Sequence, residues 1–354
     1  MINIIAMSGG VDSSVSLLLS KNNFPADSFV GVTLALSPEN TAEHEADVSN
    51  IRDASAVCAA QSVEHRAVFA HDEFKQAVID YFTGEYLAGR TPNPCVVCNR
   101  DIKFGLLGDY ADKIGANKIA TGHYARLADI GGYTYIRKAA DISKDQSYML
   151  AYLSQNQLKR AYFPLGELTK AEVRDIAEEN KLVSARKKDS QDICFVPDGD
   201  YVAAITRITG KSPAQGKYID QSGKILGDHR GYWCYTIGQR KGLGISLGKH
   251  AFVLSKDAST NTVVLGDEDA LFKKSVNISG LNLPSDPSAL NGDVRCIAKL
   301  RYAHRGSECV LHRTSETTAT LEFDEPQRAP TPGQFAVIYD ADTGEHVLGA
   351  GVIE

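Results

Sequence analysis

Two groups of residues in this chain have the types and spacing to do chemistry. The first is Ser8-Gly9-Gly10-Val11-Asp12-Ser13-Ser14. The second is the pair Cys95 and Cys98, set in Thr91-Pro92-Asn93-Pro94-Cys95-Val96-Val97-Cys98-Asn99-Arg100-Asp101-Ile102-Lys103-Phe104. The apolar run Ile2 to Ala6 suits one buried strand, and Val15 to Leu19 continues the loop as a helix. A glycine-rich turn between strand and helix lets backbone approach a ligand, and the free amides of the helix start favour an anion. Phosphate is the natural occupant, with Ser8, Ser13 and Ser14 as hydroxyl donors and Asp12 as a seat for Mg²⁺. The run has neither the Gly-Lys-Ser/Thr of a Walker A loop nor the glycine spacing of a dinucleotide fingerprint.

Cys-x-x-Cys serves as a redox pair, as half of a zinc site or as part of an iron–sulfur site. Pro92 and Pro94 predict a rigid, extended approach that presents the thiols instead of packing them. Arg100 and Lys103 stand close in sequence, where positive charge favours thiolate over thiol. Cys194 follows the basic and polar stretch Ser184 to Asp192 and lies between Ile193 and Phe195, a candidate second thiol. Cys58, Cys234, Cys296 and Cys309 fall in apolar runs and read as core. His44, His65 and His71 lack ligand spacing and read as structural or surface residues. For His123, in Thr121-Gly122-His123-Tyr124-Ala125-Arg126, a phosphate contact and a turn-satisfying role both stand.

The elements that must position these groups alternate. Strands are expected at Phe29 to Leu34, at His65 to Val68 and from Lys118 into a turn at Gly122. Asn40 to His44 reads as a polar link, and helices are expected over Ala46 to Gln61 and Glu73 to Leu87. Lys144 to Leu150 opens an amphipathic stretch, and Thr169 with Glu172 forms a capping box for a helix to about Asn180. This predicts an α/β fold, a doubly wound parallel sheet with its ligand at the carboxyl ends of the strands. Beyond Pro197 short apolar runs and glycines predict a small β-rich domain with a basic loop, Gly238 to Gly244. From about Val276, runs at Val294 to Lys299, Cys309 to His312, Thr318 to Phe323 and Phe335 to Tyr339 predict an antiparallel β-barrel. The expected domains are residues 1–197, 198–272 and 273–354.

A length of 354 residues, 43% hydrophobic and 23% charged, describes an ordinary globular chain with ample core. Its odd set of seven irregularly spaced cysteines favours thiol chemistry over a disulfide framework. No signal layout or membrane-length apolar run is present, so a cytoplasmic location with no membrane partner is expected. Net charge of −6 argues against non-specific binding to nucleic acid, so RNA contact would need a local basic face.

The order Ser-Gly-Gly-Val-Asp-Ser-Ser resembles the loop of enzymes that split ATP into AMP and pyrophosphate. With Ser8 to Ser14, Thr91 to Phe104, Thr121 to Arg126, Lys144 to Gln146, Asp189 to Phe195, Gly238 to Gly244 and Thr331 to Gly351 in this order, the chain resembles the tRNA-specific 2-thiouridylase family over essentially its full length. The resemblance implies thiolation of O2 of the wobble uridine of tRNA with ATP and a persulfide sulfur. It implies ATP on Ala6, Met7, Ser8, Gly9, Gly10, Val11, Asp12, Ser13, Leu34 and Gly122, Cys194 as persulfide carrier and Cys98 as nucleophile. It implies tRNA contacts at Lys144, Asp145, Gln146, Arg301 and Tyr302, and the target base at Asn93, Pro94 and Cys95. The basic loops Arg186-Lys187-Lys188 and Arg240-Lys241 would meet phosphates. The sulfur would come from a cysteine desulfurase or a sulfur-relay protein.

Two positions depart from the family pattern. Cys95 stands where many relatives have Asp, so Cys95, Cys98 and Cys194 could instead hold a [4Fe–4S] cluster that binds sulfide. Ala35-Leu36-Ser37-Pro38 lacks the aromatic and acidic residues expected after Leu34. An ATP-dependent amidoligase leaves Cys98 and Cys194 without a task, and a non-catalytic RNA-binding or nucleotide-sensing module leaves the intact loop without one.

Overall fold

The structure is a computed structural model and describes residues 1–38, 42–185, 193–196, 198–284 and 286–354, with Ala42 by its backbone alone. Asn40, the basic run Arg186 to Lys188, Asp189 to Asp192 and the expected boundary residue Pro197 lie outside the described residues.

β1 (Ile2–Ala6) is the middle of a five-stranded sheet and is apolar on both faces except for Asn3, whose side-chain amide donates to Asp27 at 2.7 Å. Ile4 enters the large core cluster on one face and Ile5 a smaller one on the other, the alternation that a strand imposes. α1 (Val11–Asn23) follows, then β2 (Ser28–Ala35), α2 (Ala42–Ala60) and β3 (Glu64–Phe69). β4 (Ala116–Ala120) pairs with the other edge of β1. A hairpin, β5 (Arg126–Ile130) and β6 (Tyr133–Arg137), stands apart, and β7 (Ala161–Tyr162) completes the order β3-β2-β1-β4-β7, parallel throughout. Successive strands move outward from β1 to β2 and β3, then return to β4 on its far side. That reversal opens a crevice between the carboxyl ends of β1 and β4, where such sheets bind ligands.

Three expectations are corrected. α2 starts at Ala42, so His44 is helical and not part of a link. The helix expected from Glu73 begins at His71 and is interrupted by a π-helical turn, Lys75–Ile79, before Asp80–Leu87. Pro94 does not keep the cysteine segment extended. It occupies the first position of a helix, Pro94–Val97, where a missing N–H costs nothing, and Asn93 caps it by accepting from the Cys95 amide at 3.2 Å. A nine-residue π-helix, Cys98–Leu106, continues from it. Cys98 is therefore packed, at 9% exposure, with Cys95 half-buried.

The helix Tyr201–Thr209, which the texture change masks in the sequence, leads into a four-stranded sheet. Its strands are β8 (Gly216–Ile219), β9 (Ile225–His229), β10 (Phe252–Asp257) and β11 (Thr262–Gly266). β12 (Phe272–Asn282), β13 (Asp293–Lys299), β14 (Ser307–Arg313), β15 (Ala319–Arg328), β16 (Phe335–Asp340) and β17 (Val347–Ile353) close the expected antiparallel barrel. Cys296 and Cys309 face each other across β13 and β14 inside it, and Cys58 and Cys234 are also core. Among the described residues no helix is long and apolar enough to cross a membrane.

The Thr169 capping box forms as expected, with the Thr169 hydroxyl accepting from the Glu172 amide at 3.3 Å and the Glu172 carboxylate accepting from the Thr169 amide at 2.7 Å. It fixes the start of the helix Lys170–Glu179. Thr169→Ala should lower stability by about 1 kcal/mol in urea unfolding. An unchanged midpoint and slope would mean the cap carries nothing.

Candidate active site

The Ser8–Ser14 loop sits at the carboxyl end of β1 and opens α1. Gly9 takes φ +70°, and a Cβ there would stand 2.8 Å from the Asn50 carbonyl, so glycine serves both the turn and its packing on α2. Gly10 occupies the helix cap in an extended conformation without a side-chain cap bond. Ser13 donates to the Gly10 carbonyl at 3.1 Å and lies 3.2 Å from the exposed Ser8 hydroxyl. Ser14 is a correction: fully buried, it donates to the Gly10 carbonyl at 2.8 Å and accepts from Ser184 at 2.8 Å, so its hydroxyl braces the loop from below.

Across the crevice, Gly122 follows β4. A Cβ on it would come within 3.0 Å of Asp12 and of the Ser13 nitrogen, so its bare backbone lets the start of α1 lie against β4. Ala6 and Leu34 are half-buried at the ends of β1 and β2, Met7 is buried, and Val11 packs toward the Lys170–Glu179 helix. Asp12 is already paired. Its carboxylate accepts from Lys170 Nζ at 2.7 and 2.9 Å and from the Tyr124 hydroxyl at 2.8 Å. A cation already fills the place expected for Mg²⁺, so the donor set does not fit a metal there. Lys170 and Tyr124 escaped the sequence reading because the pairing joins residues far apart in the chain. The capping box gave the sole local signal, since it puts Lys170 at a helix start beside the loop.

The three site thiols share one neighbourhood. Lys103 acts electrostatically on Cys95, Cys98 and Cys194 at once, and Cys194 also feels both other thiols. Asp47, which receives the Leu36 and Ser37 amides at 2.8 Å just beyond β2, reaches Cys194 as well, placing that thiol near the carboxyl edge of the sheet. Phe195 beside it packs edge-on against Phe74 and Phe82. The π-helix explains how Lys103 reaches Cys98. Its wider turn brings residue i+5 back to the face of residue i, where an α-helix would carry it round toward the far side.

Burial outweighs that charge. It pushes the Cys98 thiol up to about 11 and the exposed Cys194, crowded by surrounding protein, up to about 12, while Cys95 is raised too. Lys103 opposes all three shifts and has no carboxylate partner among the described residues. Arg100 does not share the task, since Asp101 holds its guanidinium at 2.6 and 2.7 Å. The expectation that both cations favour thiolate is thus corrected to Lys103 alone, and to a partial offset. Among the described residues no set of three or more His, Cys, Asp or Glu is placed to hold a metal ion.

The remaining candidates divide. His123 is buried, bonded to Thr121 at 2.7 Å and flanked by Phe104 and Phe163, and burial holds it well below its usual range, neutral and turn-satisfying. Asp145 spends its carboxylate on the Ala139 and Ser147 amides, each at 3.1 Å, and Gln146 exchanges bonds with the Tyr124 backbone. Lys144 is half-buried. Asn93 and Pro94 shape the helix start before Cys95. Arg301 and Tyr302 are exposed on the barrel, with the Tyr302 ring 6.1 Å from that of Tyr148. Arg240, Lys241, Lys249 and His250 line a hollow of about 540 Å³ on the central domain.

Comparison with known proteins gives a consistent picture. Three domain families match in succession: the tRNA methyl transferase HUP domain at residues 2–198, the tRNA methyl transferase PRC-barrel domain at 204–267 and the aminomethyltransferase beta-barrel domain at 273–353. The tRNA-specific 2-thiouridylase MnmA of Lachnoclostridium phytofermentans is 43% identical over 357 residues, covering 99% of this chain and 98% of that protein. The protein of the same name from Clostridium acetobutylicum is 41% identical, with 99% of each covered. That from Acidithiobacillus ferrooxidans is 42% identical, covering 99% of this chain and 97% of its own.

Lys103→Met should raise the Cys98 thiol further and slow its alkylation by iodoacetamide several-fold at about pH 9, where rate follows the thiolate fraction. Lys103→Arg should retain most of the rate. Peptide-resolved mass spectrometry reads the effect, and an unchanged pH profile in Lys103→Met would remove Lys103 from the thiol environment.

Proposed function

The chain belongs to the tRNA-specific 2-thiouridylase family, and from that premise we propose how its residues carry the activity. The enzyme replaces O2 of the tRNA wobble uridine by sulfur at the expense of ATP. The observation that supports the site assignment is that Cys98 and Cys194 are near enough for Cys194 to feel the charge of Cys98, and for both to feel that of Lys103, beside a sheet whose central strand feeds the anion loop. ATP lies along Ala6 to Ser13 with Leu34 and Gly122, its phosphates on the loop amides and the Ser8 and Ser13 hydroxyls. Lys170, beside the loop, is a further cation for that polyphosphate. Mg²⁺ enters with ATP, and no step is assigned to a metal on Asp12.

Uridine O2 attacks the α-phosphorus, pyrophosphate leaves, and a poor oxygen leaving group becomes AMP. Cys194 carries the outer sulfur as a persulfide. That sulfur attacks C2 and expels AMP, leaving the base joined to Cys194 through a sulfur–sulfur bond. The Cys98 thiolate then attacks Cys194 Sγ, forming the Cys98–Cys194 disulfide and releasing the sulfur on C2. In a second order of events Cys98 attacks first and frees hydrosulfide, which displaces AMP. In both, the outer sulfur gains two electrons and the dithiol loses two, so an external thiol reductant must reopen the disulfide before a desulfurase or relay protein reloads Cys194.

The target base faces Asn93, Pro94 and Cys95. Lys144, Arg301 and Tyr302, with the Arg240 and Lys241 hollow, meet the tRNA, while Asp145 and Gln146 act by shaping the segment between them. Residues 1–197, 198–272 and 273–354 form the catalytic, central and barrel units, and the enzyme works in the cytoplasm, where tRNA and ATP are at hand.

The test is thiolation of unmodified tRNA with ATP and a persulfide donor, scored by 2-thiouridine and by pyrophosphate. Cys98→Ser and Cys194→Ser should each abolish 2-thiouridine yet retain tRNA-dependent pyrophosphate release. Full thiolation by either variant would overturn its assigned role.

A further inference from the structure

The segment that leads into the thiol helix cannot hold itself. In Thr91-Pro92-Asn93-Pro94 the two prolines have no N–H, so the backbone offers carbonyls with few donors to tie them. The donors come from the C-terminal barrel. Gln334, immediately before β16, directs its side-chain amide at two successive carbonyls, Thr91 at 2.8 Å and Pro92 at 3.2 Å. The Thr91 amide in turn donates to the Pro332 carbonyl at 2.8 Å. Gly333 lies between, at φ +90°, with an added Cβ only 3.0 Å from the Thr91 nitrogen and from Arg90 Cβ. The barrel loop is itself pinned, because Ile353 donates to the Gln334 carbonyl at 2.8 Å and Gly333 donates to Ile353 at 2.9 Å.

On the inner side, Asn99 donates to the Met149 carbonyl at 2.9 Å, and Tyr148 of the same short helix donates to the Phe335 carbonyl at 2.9 Å. The start of the thiol helix is therefore gripped between the barrel and the Ser147–Leu150 turn. We propose that Gln334 is a positioning residue for Cys98: by clamping the Thr91 and Pro92 carbonyls, the barrel sets the register of the helix that carries the nucleophile. The proposal rests on the thiolation reading above. It makes the barrel part of the reaction's geometry and not only a tRNA platform, because a small displacement of a nucleophile costs about 100-fold in rate.

Gln334→Ala removes the clamp, and Gln334→Glu turns a donor facing two carbonyls into an acceptor. Both should lower single-turnover thiolation about 10- to 100-fold while tRNA affinity by filter binding stays within about 2-fold and the melting temperature holds. Both should also raise the alkylation rate of the packed Cys98 several-fold, a readout that needs neither ATP nor tRNA. A rate within about 2-fold of wild type, a loss matched by weaker tRNA binding, a loss that tracks a fallen melting temperature, or unchanged Cys98 alkylation would each overturn the proposal. If the wild-type chain makes no 2-thiouridine, the functional reading falls, and the alkylation arm still decides whether Gln334 holds Cys98.

Discussion

A thiol acts after losing its proton, and burial at the edge of this sheet makes that loss costly. The constraint organises the site. Cys98 is packed, and Cys194, though exposed, is crowded by surrounding protein, and this pushes both thiols far above neutrality. The compensation is local. Lys103 has no competing carboxylate among the described residues, and the π-helical turn brings it to the face of Cys98. Ordinary α-helical winding would spend that cation elsewhere.

The nucleotide side meets an opposite constraint. The loop must present amides and hydroxyls to an anion without collapsing on itself, and Asp12 lies in its middle. Lys170 and Tyr124 hold that carboxylate, while Gly122 admits the first turn of α1 so closely that any side chain would displace it. Both sites thus depend on parts distant in sequence: a helix cap at Thr169 for one, a barrel loop at Gln334 for the other.

What could be read in the sequence follows from how local each cause is. The alternation of strands with helices, the capping box at Thr169 and the turn-separated runs of the barrel are short-range patterns, and each stands in the structure. The cysteine segment departs from expectation because two prolines read as helix breakers, whereas Pro94 occupies the first helical position, which tolerates it. Lys103 was visible as a nearby charge, but that burial would prevail over it depends on packing by residues as remote as Phe195. The Asp12–Lys170 pair and the Gln334 clamp had no local signal beyond one helix start.

The central claim is that Cys98 and Cys194 complete one sulfur transfer by joining to each other. The most direct measurement loads the enzyme with one persulfide equivalent, mixes it with ATP and unmodified tRNA without reductant, and maps the quenched thiols by non-reducing peptide mass spectrometry. One Cys98–Cys194 disulfide should form for each 2-thiouridine made. Thiolated tRNA with both cysteines still reduced would contradict the account.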